Sequence, residues 1–229
     1  MEREFGPVLG FCRRIVRLFI PTYRIDQDAS VDLNQPTVFV SHHENLRGPL
    51  KIIIWTTIFM RIWVLAKLTE PKACYQHFVD YTFTQRFHLP KAIAKLLAFP
   101  AAWIASFFLN QARVIPVYRG SRQLKKTFTC SLQALEERIP VTIFPDVDYQ
   151  SKDQPVGKIY EGFLHLEKLY YRKYQEHIQF VPLYANRKTH KIYCGQAVTF
   201  QGSKENFRQE RDHVAQELQD QLNRLIDKD

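Results

Sequence analysis

Residues 37–49 read Thr37-Val38-Phe39-Val40-Ser41-His42-His43-Glu44-Asn45-Leu46-Arg47-Gly48-Pro49. The opening run is β-branched and aromatic, the composition of a short strand. It ends on two histidines and leads into a segment with helical character. Open α/β sheets hold their ligands at the carboxyl ends of strands, so this is a place for chemistry. A neutral imidazole here is a candidate general base acting on a hydroxyl. The same histidines also read as ordinary surface or packing residues.

Outward from this stretch, strands and helices alternate. Helical segments are expected at 48–68, 91–110, 121–138 and 159–176. Strands are expected at 113–118, 141–144, 180–184 and 191–200. The last 25 residues pattern as an amphipathic helix, with Phe207, Val214, Leu218, Leu222 and Leu225 on one face. The class is therefore α/β: a single domain with a central mixed sheet flanked by helices, behind an N-terminal amphipathic helix. Residues 1–34 form that helix and a polar leading segment, and 35–229 form the α/β domain. A chain of 229 residues suits one sizeable domain.

Lys and Arg number 32 against 23 for Asp and Glu, giving a net charge of +9. That balance favours an anionic partner such as a phosphate-bearing substrate or an anionic membrane surface. No zinc knuckle or recognised RNA-binding motif supports nucleic acid as that partner. Cys12, Cys74, Cys130 and Cys194 form no C-x-x-C pair and read as reduced thiols of an intracellular protein.

In residues 5–20, Val8, Phe11, Cys12, Ile15, Leu18 and Phe19 fall on one side of a helix. Arg13, Arg14 and Arg17 fall on the other. This is the pattern of an interfacial helix with its arginines on lipid phosphates, or of a surface helix packed on its own domain. The stretches 52–60 and 96–112 lack charge but fall short of a spanning segment, and Pro100 is expected to break or kink a helix. No transmembrane helix is expected. Phe99, Trp103, Phe107 and Phe108, at helical spacing, read as core, with the wall of an acyl-chain site as the other reading.

Three further segments carry polar groups at strand ends. Arg113-Val-Ile-Pro-Val-Tyr-Arg119-Gly120 runs a strand into an arginine whose guanidinium fork suits a phosphate. Val141-Thr-Ile-Phe144-Pro145-Asp146-Val147-Asp148-Tyr149 ends a strand in two acids. Phe180-Val-Pro182-Leu-Tyr184 is another proline-bearing strand. Taken in order, the four segments resemble the glycerolipid acyltransferase family, the PlsC-like lysophosphatidic acid acyltransferases. The family pattern is Asn-His-x4-Asp, Ile-Pro-Val-x-Arg, Phe-Pro-Glu-Gly-Thr-Arg-Ser and a Val-Pro strand. Ile115 to Arg119 is the intact counterpart, and the resemblance runs from about residue 35 to the C-terminus.

The sequence departs from that pattern at defined places. Aligned on Pro49, His43 matches the catalytic histidine and Gly48 takes the aspartate position. Aligned one residue earlier, His42 is the match and Arg47 replaces the aspartate. In the third motif Asp146 stands for glutamate, Asp148 for threonine and Tyr149 for a phosphate-holding arginine. The resemblance implies a base, preferably His43 and otherwise His42. It implies Asp146 or Asp148 as the substitute acid, and Glu44 less so. It implies Arg119, Gly120, Arg47 and Tyr149 at the substrate.

The implied reaction moves a fatty acyl group from acyl-CoA or acyl carrier protein to a lysophospholipid-like acceptor. It needs no cofactor and runs on the cytoplasmic face of a membrane, where the protein is peripheral. The alternative is a weak or inactive relative that binds lipid or a protein partner. A third reading takes His42, His43, Asp146 and Asp148 as ligands of a hydrolytic metal.

Overall fold

The run Thr37–Ser41 forms β2 and is buried along its whole length, as befits an apolar strand covered on both faces. The structure, a computed structural model, describes residues 4–44, 47–120, 122–146, 156–202 and 207–228. The class is the expected one: a mixed sheet flanked by helices, preceded by an N-terminal helix. The chain sorts into two compact units, one of residues 13–60 with 131–229 and one of residues 4–12 with 61–130.

In the first unit β2 lies between β5 (Val141–Ile143) and β6 (Gln179–Asn186) and runs parallel to both. β6 pairs antiparallel with β7 (Lys191–Cys194) and with the short β8 (Val198–Thr199). β1 (Arg24–Gln27) borders β7 in parallel. The sequence reading has no strand there, because an exposed edge needs only backbone pairing and shows no apolar alternation. One sheet face is closed by Ile52 of α2 (Arg47–Trp55) together with Met60, packed on Phe39, Val181 and Leu183. The other receives α7 (Phe207–Ile226), whose Leu225 meets Tyr184 and Tyr193. Four phenylalanines, 163, 180, 200 and 207, run in sequence through this side with successive ring centroids 5.9, 5.9 and 5.5 Å apart.

Buried polar side chains fix the strand ends. Gln179 donates to Thr37 Oγ1 at 2.6 Å and its backbone N–H donates to Pro36. Below α6 (His165–Tyr174), buried Glu167 accepts from the Ile178 N–H at 2.9 Å and from His177 Nδ1 at 2.7 Å. Burial nonetheless raises the Glu167 pKa, with those donors opposing it.

The expected helix at 48–68 stops early. α2 ends at Trp55 and Arg61–Leu65 is a strand, β3. Thr56 turns its hydroxyl back to the Ile52 carbonyl at 2.6 Å, and Ile62-Trp63-Val64 favours a pleated backbone.

In the second unit β3 pairs parallel with β4 (Ile115–Val117). α3 (Pro71–His77) continues through wider π turns to Arg86, and α4 spans Lys91–Gln111. α5 (Leu124–Glu136) begins in this unit, where Thr127 Oγ1 donates to the Pro116 carbonyl at 2.8 Å. Pro100 does not break α4 as expected; the helix runs through it. Only the turn that would hydrogen-bond the Pro100 nitrogen is lost, and packing of Ala94, Ala98, Ala102 and Ser106 holds the rest. The core reading of Phe99, Trp103 and Phe107 is also overturned: all three are exposed, and the buried side of α4 is the small-residue side. α4 is also long and apolar enough to cross a membrane, counter to expectation, by length and composition.

α1 (Pro7–Val16) buries none of its residues. In the first unit, the guanidiniums of Arg13 and Arg17 do not project outward as an interfacial helix would require. Arg13 donates to the Thr56 carbonyl at 2.6 Å, and Arg17 to the Ile54 carbonyl at 2.7 Å. The open carbonyls ending α2 carry the partial negative charge that attracts them.

Replacing Ala98 by Leu forces a large side chain into the packed side of α4, so urea unfolding should show a loss of about 1–3 kcal/mol. Phe99→Ser, on the outer side, should stay within about 0.5 kcal/mol of the parent.

Candidate functional site

β2 and β5 run parallel, so their carboxyl ends lie side by side, and each releases a polar group there. From β2 comes His42, 2% exposed. From β5, by way of Phe144 and Pro145, comes Asp146. His42 Nδ1 lies 2.9 Å from Asp146 Oδ1, and the second carboxylate oxygen accepts the His43 backbone N–H at 2.6 Å. An ionised carboxylate only accepts, so Nδ1 carries the proton and Nε2 is the basic nitrogen. Asp146 is fixed by an isolated antiparallel bridge to Ile159, and the Tyr160 N–H donates to Pro145 at 2.8 Å.

The adjacent histidines go to different environments. The His43 ring stands edge-on to Phe144 at 5.4 Å, beside the apolar cluster around Phe39 and Ile52. Strand parity explains the division. Val38, Val40 and His42 share one side of the chain, and Phe39, Ser41 and His43 the other. That alternation was readable from the sequence; the side on which Asp146 would lie was not.

Glu44 follows with a positive φ of 41° and is buried. Its carboxylate lies 3.5 Å from Lys51 Nζ, which also donates to the Ala185 carbonyl at 3.1 Å and sits 5.4 Å from the Tyr23 ring centroid. Burial lowers the Lys51 pKa while Glu44 opposes the shift. Burial raises that of Tyr23, and Glu44 adds to it. Glu44 is thus the counter-ion of Lys51, a pairing that sequence reasoning missed. The i to i+7 spacing across a turn into a helix carries little signal for it.

Gly48 is pressed against the chain it follows. A Cβ there would collide with the His42 carbonyl oxygen and crowd that of His43. Arg47 opens α2 and is exposed, its N–H donating to the Glu44 carbonyl at 3.2 Å. Arg119 and Gly120 follow β4 in the second unit, both exposed, with Gly120 at φ 67°. Asp148 and Tyr149 lie outside the described residues. Among the described residues no group of three or more His, Cys, Asp or Glu side chains is gathered to hold a metal ion. All four cysteines are free thiols, and burial pushes the Cys194 pKa up to about 12, which makes it a poor nucleophile.

Gly48→Asp, which restores an acid at one of the two family aspartate positions, should destabilise the chain by about 1–3 kcal/mol in chemical denaturation. Strain against the His42 carbonyl is the cause.

No protein-family model and no curated protein matches the chain. Among solved structures, it is similar to the 1-acyl-sn-glycerophosphate (LPA) acyltransferase PlsC from Thermotoga maritima. The two share 10% sequence identity and a TM-score of 0.51, over 96% of this chain and 79% of that one. At that identity the likeness is one of fold alone: the chain shares the architecture of that structure.

Proposed function

We propose that the chain transfers a fatty acyl group from a thioester donor, acyl-CoA or acyl carrier protein, to a hydroxyl of a lysophospholipid-like acceptor. It does so as a peripheral protein on the cytoplasmic face of a membrane. The observation that carries this reading is the buried His42–Asp146 pair on an acyltransferase-like fold. It favours His42 as the base, because a carboxylate holds the Nδ1 side of its buried ring.

In this mechanism Nε2 of His42 takes the proton of the acceptor hydroxyl. The oxygen attacks the thioester carbonyl carbon and forms a tetrahedral oxyanion. Collapse re-forms the carbonyl, breaks the carbon–sulfur bond and expels the thiolate, which takes the proton from the imidazolium. Asp146 keeps Nδ1 protonated and steadies the imidazolium, the role of the acid in a Ser-His-Asp triad. Asp146 thereby replaces the aspartate absent from the histidine segment. A phosphate contact falls to Arg47, whose forked guanidinium suits a phosphomonoester.

The test is acyl transfer with both labelled thioester types and a panel of lysophospholipids and glycerol 3-phosphate. His42→Ala should abolish turnover. Asp146→Asn should lower kcat about 10⁴-fold, as loss of the acid does in a Ser-His-Asp triad. His43→Ala should remain within about tenfold of the parent, since its ring lies on Phe144. Full activity in His42→Ala overturns the base assignment. No transfer from folded wild type with any pair of substrates overturns the enzymatic reading and leaves a lipid-binding relative.

A further inference from the structure

We propose that the outer face of α4 is the docking surface for an anionic bilayer, with Leu96, Phe99, Trp103, Ile104 and Phe107 seated in the acyl boundary. The inference rests on the membrane partner of the reading above and names the residues that meet it. Ordinary surface helices turn their large apolar residues inward. α4 is inverted. Alanines and a serine fill its buried side, while Leu96 is 74%, Phe99 64% and Trp103 59% exposed. No charged residue occurs from 96 to 111. Apolar exposure of this extent on one helix marks an interaction surface.

The helix lies along the membrane plane rather than across it. Its inner side is occupied by the second unit. Ser106 Oγ donates to Leu68 at 3.0 Å, Asn110 Nδ2 to Thr69 at 3.1 Å, and the Gly6 N–H to Gln111 at 2.7 Å. Pro100 supplies no N–H to the Leu96 carbonyl, a deficit that water at an interface relieves and hydrocarbon does not. Charge selects the occupant. Two copies of a +9 chain repel, whereas anionic headgroups attract it. Exposed Lys91 and Lys95 border the apolar face at headgroup positions. α1 and the turn after it independently show the same inversion, with Arg13 and Arg17 turned inward while Phe11 of the helix and Leu18 and Phe19 of the turn are exposed.

The experiment is flotation of the full chain with phosphatidylcholine vesicles, with and without phosphatidylglycerol, followed by an alkaline carbonate wash. Wild type should float with the anionic vesicles and be released by the wash. A Leu96→Ser/Phe99→Ser/Trp103→Ser variant, folded by circular dichroism, should lose at least about 100-fold in affinity, given the apolar area withdrawn. Lipids brominated on the acyl chain should quench wild-type tryptophan fluorescence, and Trp103→Phe should remove that quenching. Unchanged flotation of the triple variant, or quenching indifferent to Trp103→Phe, overturns the surface. Retention through the carbonate wash overturns the in-plane placement. A wild type that dimerises instead of floating, and a triple variant that is monomeric, overturns lipid as the occupant. His42→Ala should float like wild type, so loss of turnover and loss of docking are read separately.

Discussion

The parallel pairing of β2 with β5 is the constraint on which the candidate site depends. Parallel strands end on the same edge, so whatever follows each strand meets there. Val40 pairs with Ile143, and two or three residues beyond them His42 and Asp146 are within hydrogen-bond reach. A slip of one residue would turn His42 to the other face and break the pair. Burial of all five residues of β2 opposes that slip, since exchanging the two sides would disturb packing on both.

The acid of this pair lies outside the histidine segment. The family pattern puts the orienting carboxylate a turn beyond the histidine. Here that region holds Arg47 and Gly48, and the glycine packs so closely on the His42 carbonyl that a side chain does not fit. The carboxylate comes from the neighbouring strand instead. It bonds the imidazole with one oxygen and the backbone of the next residue with the other, which fixes both ring and chain. With position 47 free of an acid, the opening turn of α2 carries a cation.

The two inverted helices follow from the same economy of packing. Small residues let α4 lie close to its unit, and the carbonyls ending α2 draw Arg13 of α1 and Arg17 just beyond it inward. In each case the large apolar side chains are left outside. The physical cause is local, a small-residue stripe in one helix and a helix C-terminus facing the other. The consequence is a chain with large apolar side chains outside on two helices and a net positive charge.

Hydrophobic periodicity made the α/β class, the strands at 37–41, 115–117 and 141–143, and the C-terminal helix legible in the sequence, because buried strands and amphipathic helices carry strong periods. It also marked the strand ends where polar groups collect; the family resemblance then implied Asp146 or Asp148 as the acid, and Glu44 less so. It did not mark β1, whose edge position leaves no apolar pattern, nor β3, read as helix because its apolar run continues that of α2. It placed the aromatics of α4 inside, because spacing tells which residues share a face and not which way the face turns. Residue chemistry and local period therefore settled the class and the polar inventory. Which of two adjacent histidines meets a carboxylate, and which side of a helix is buried, are decided by contacts between segments about 100 residues apart in the first case and about 40 in the second. Those contacts exist only once the chain has folded.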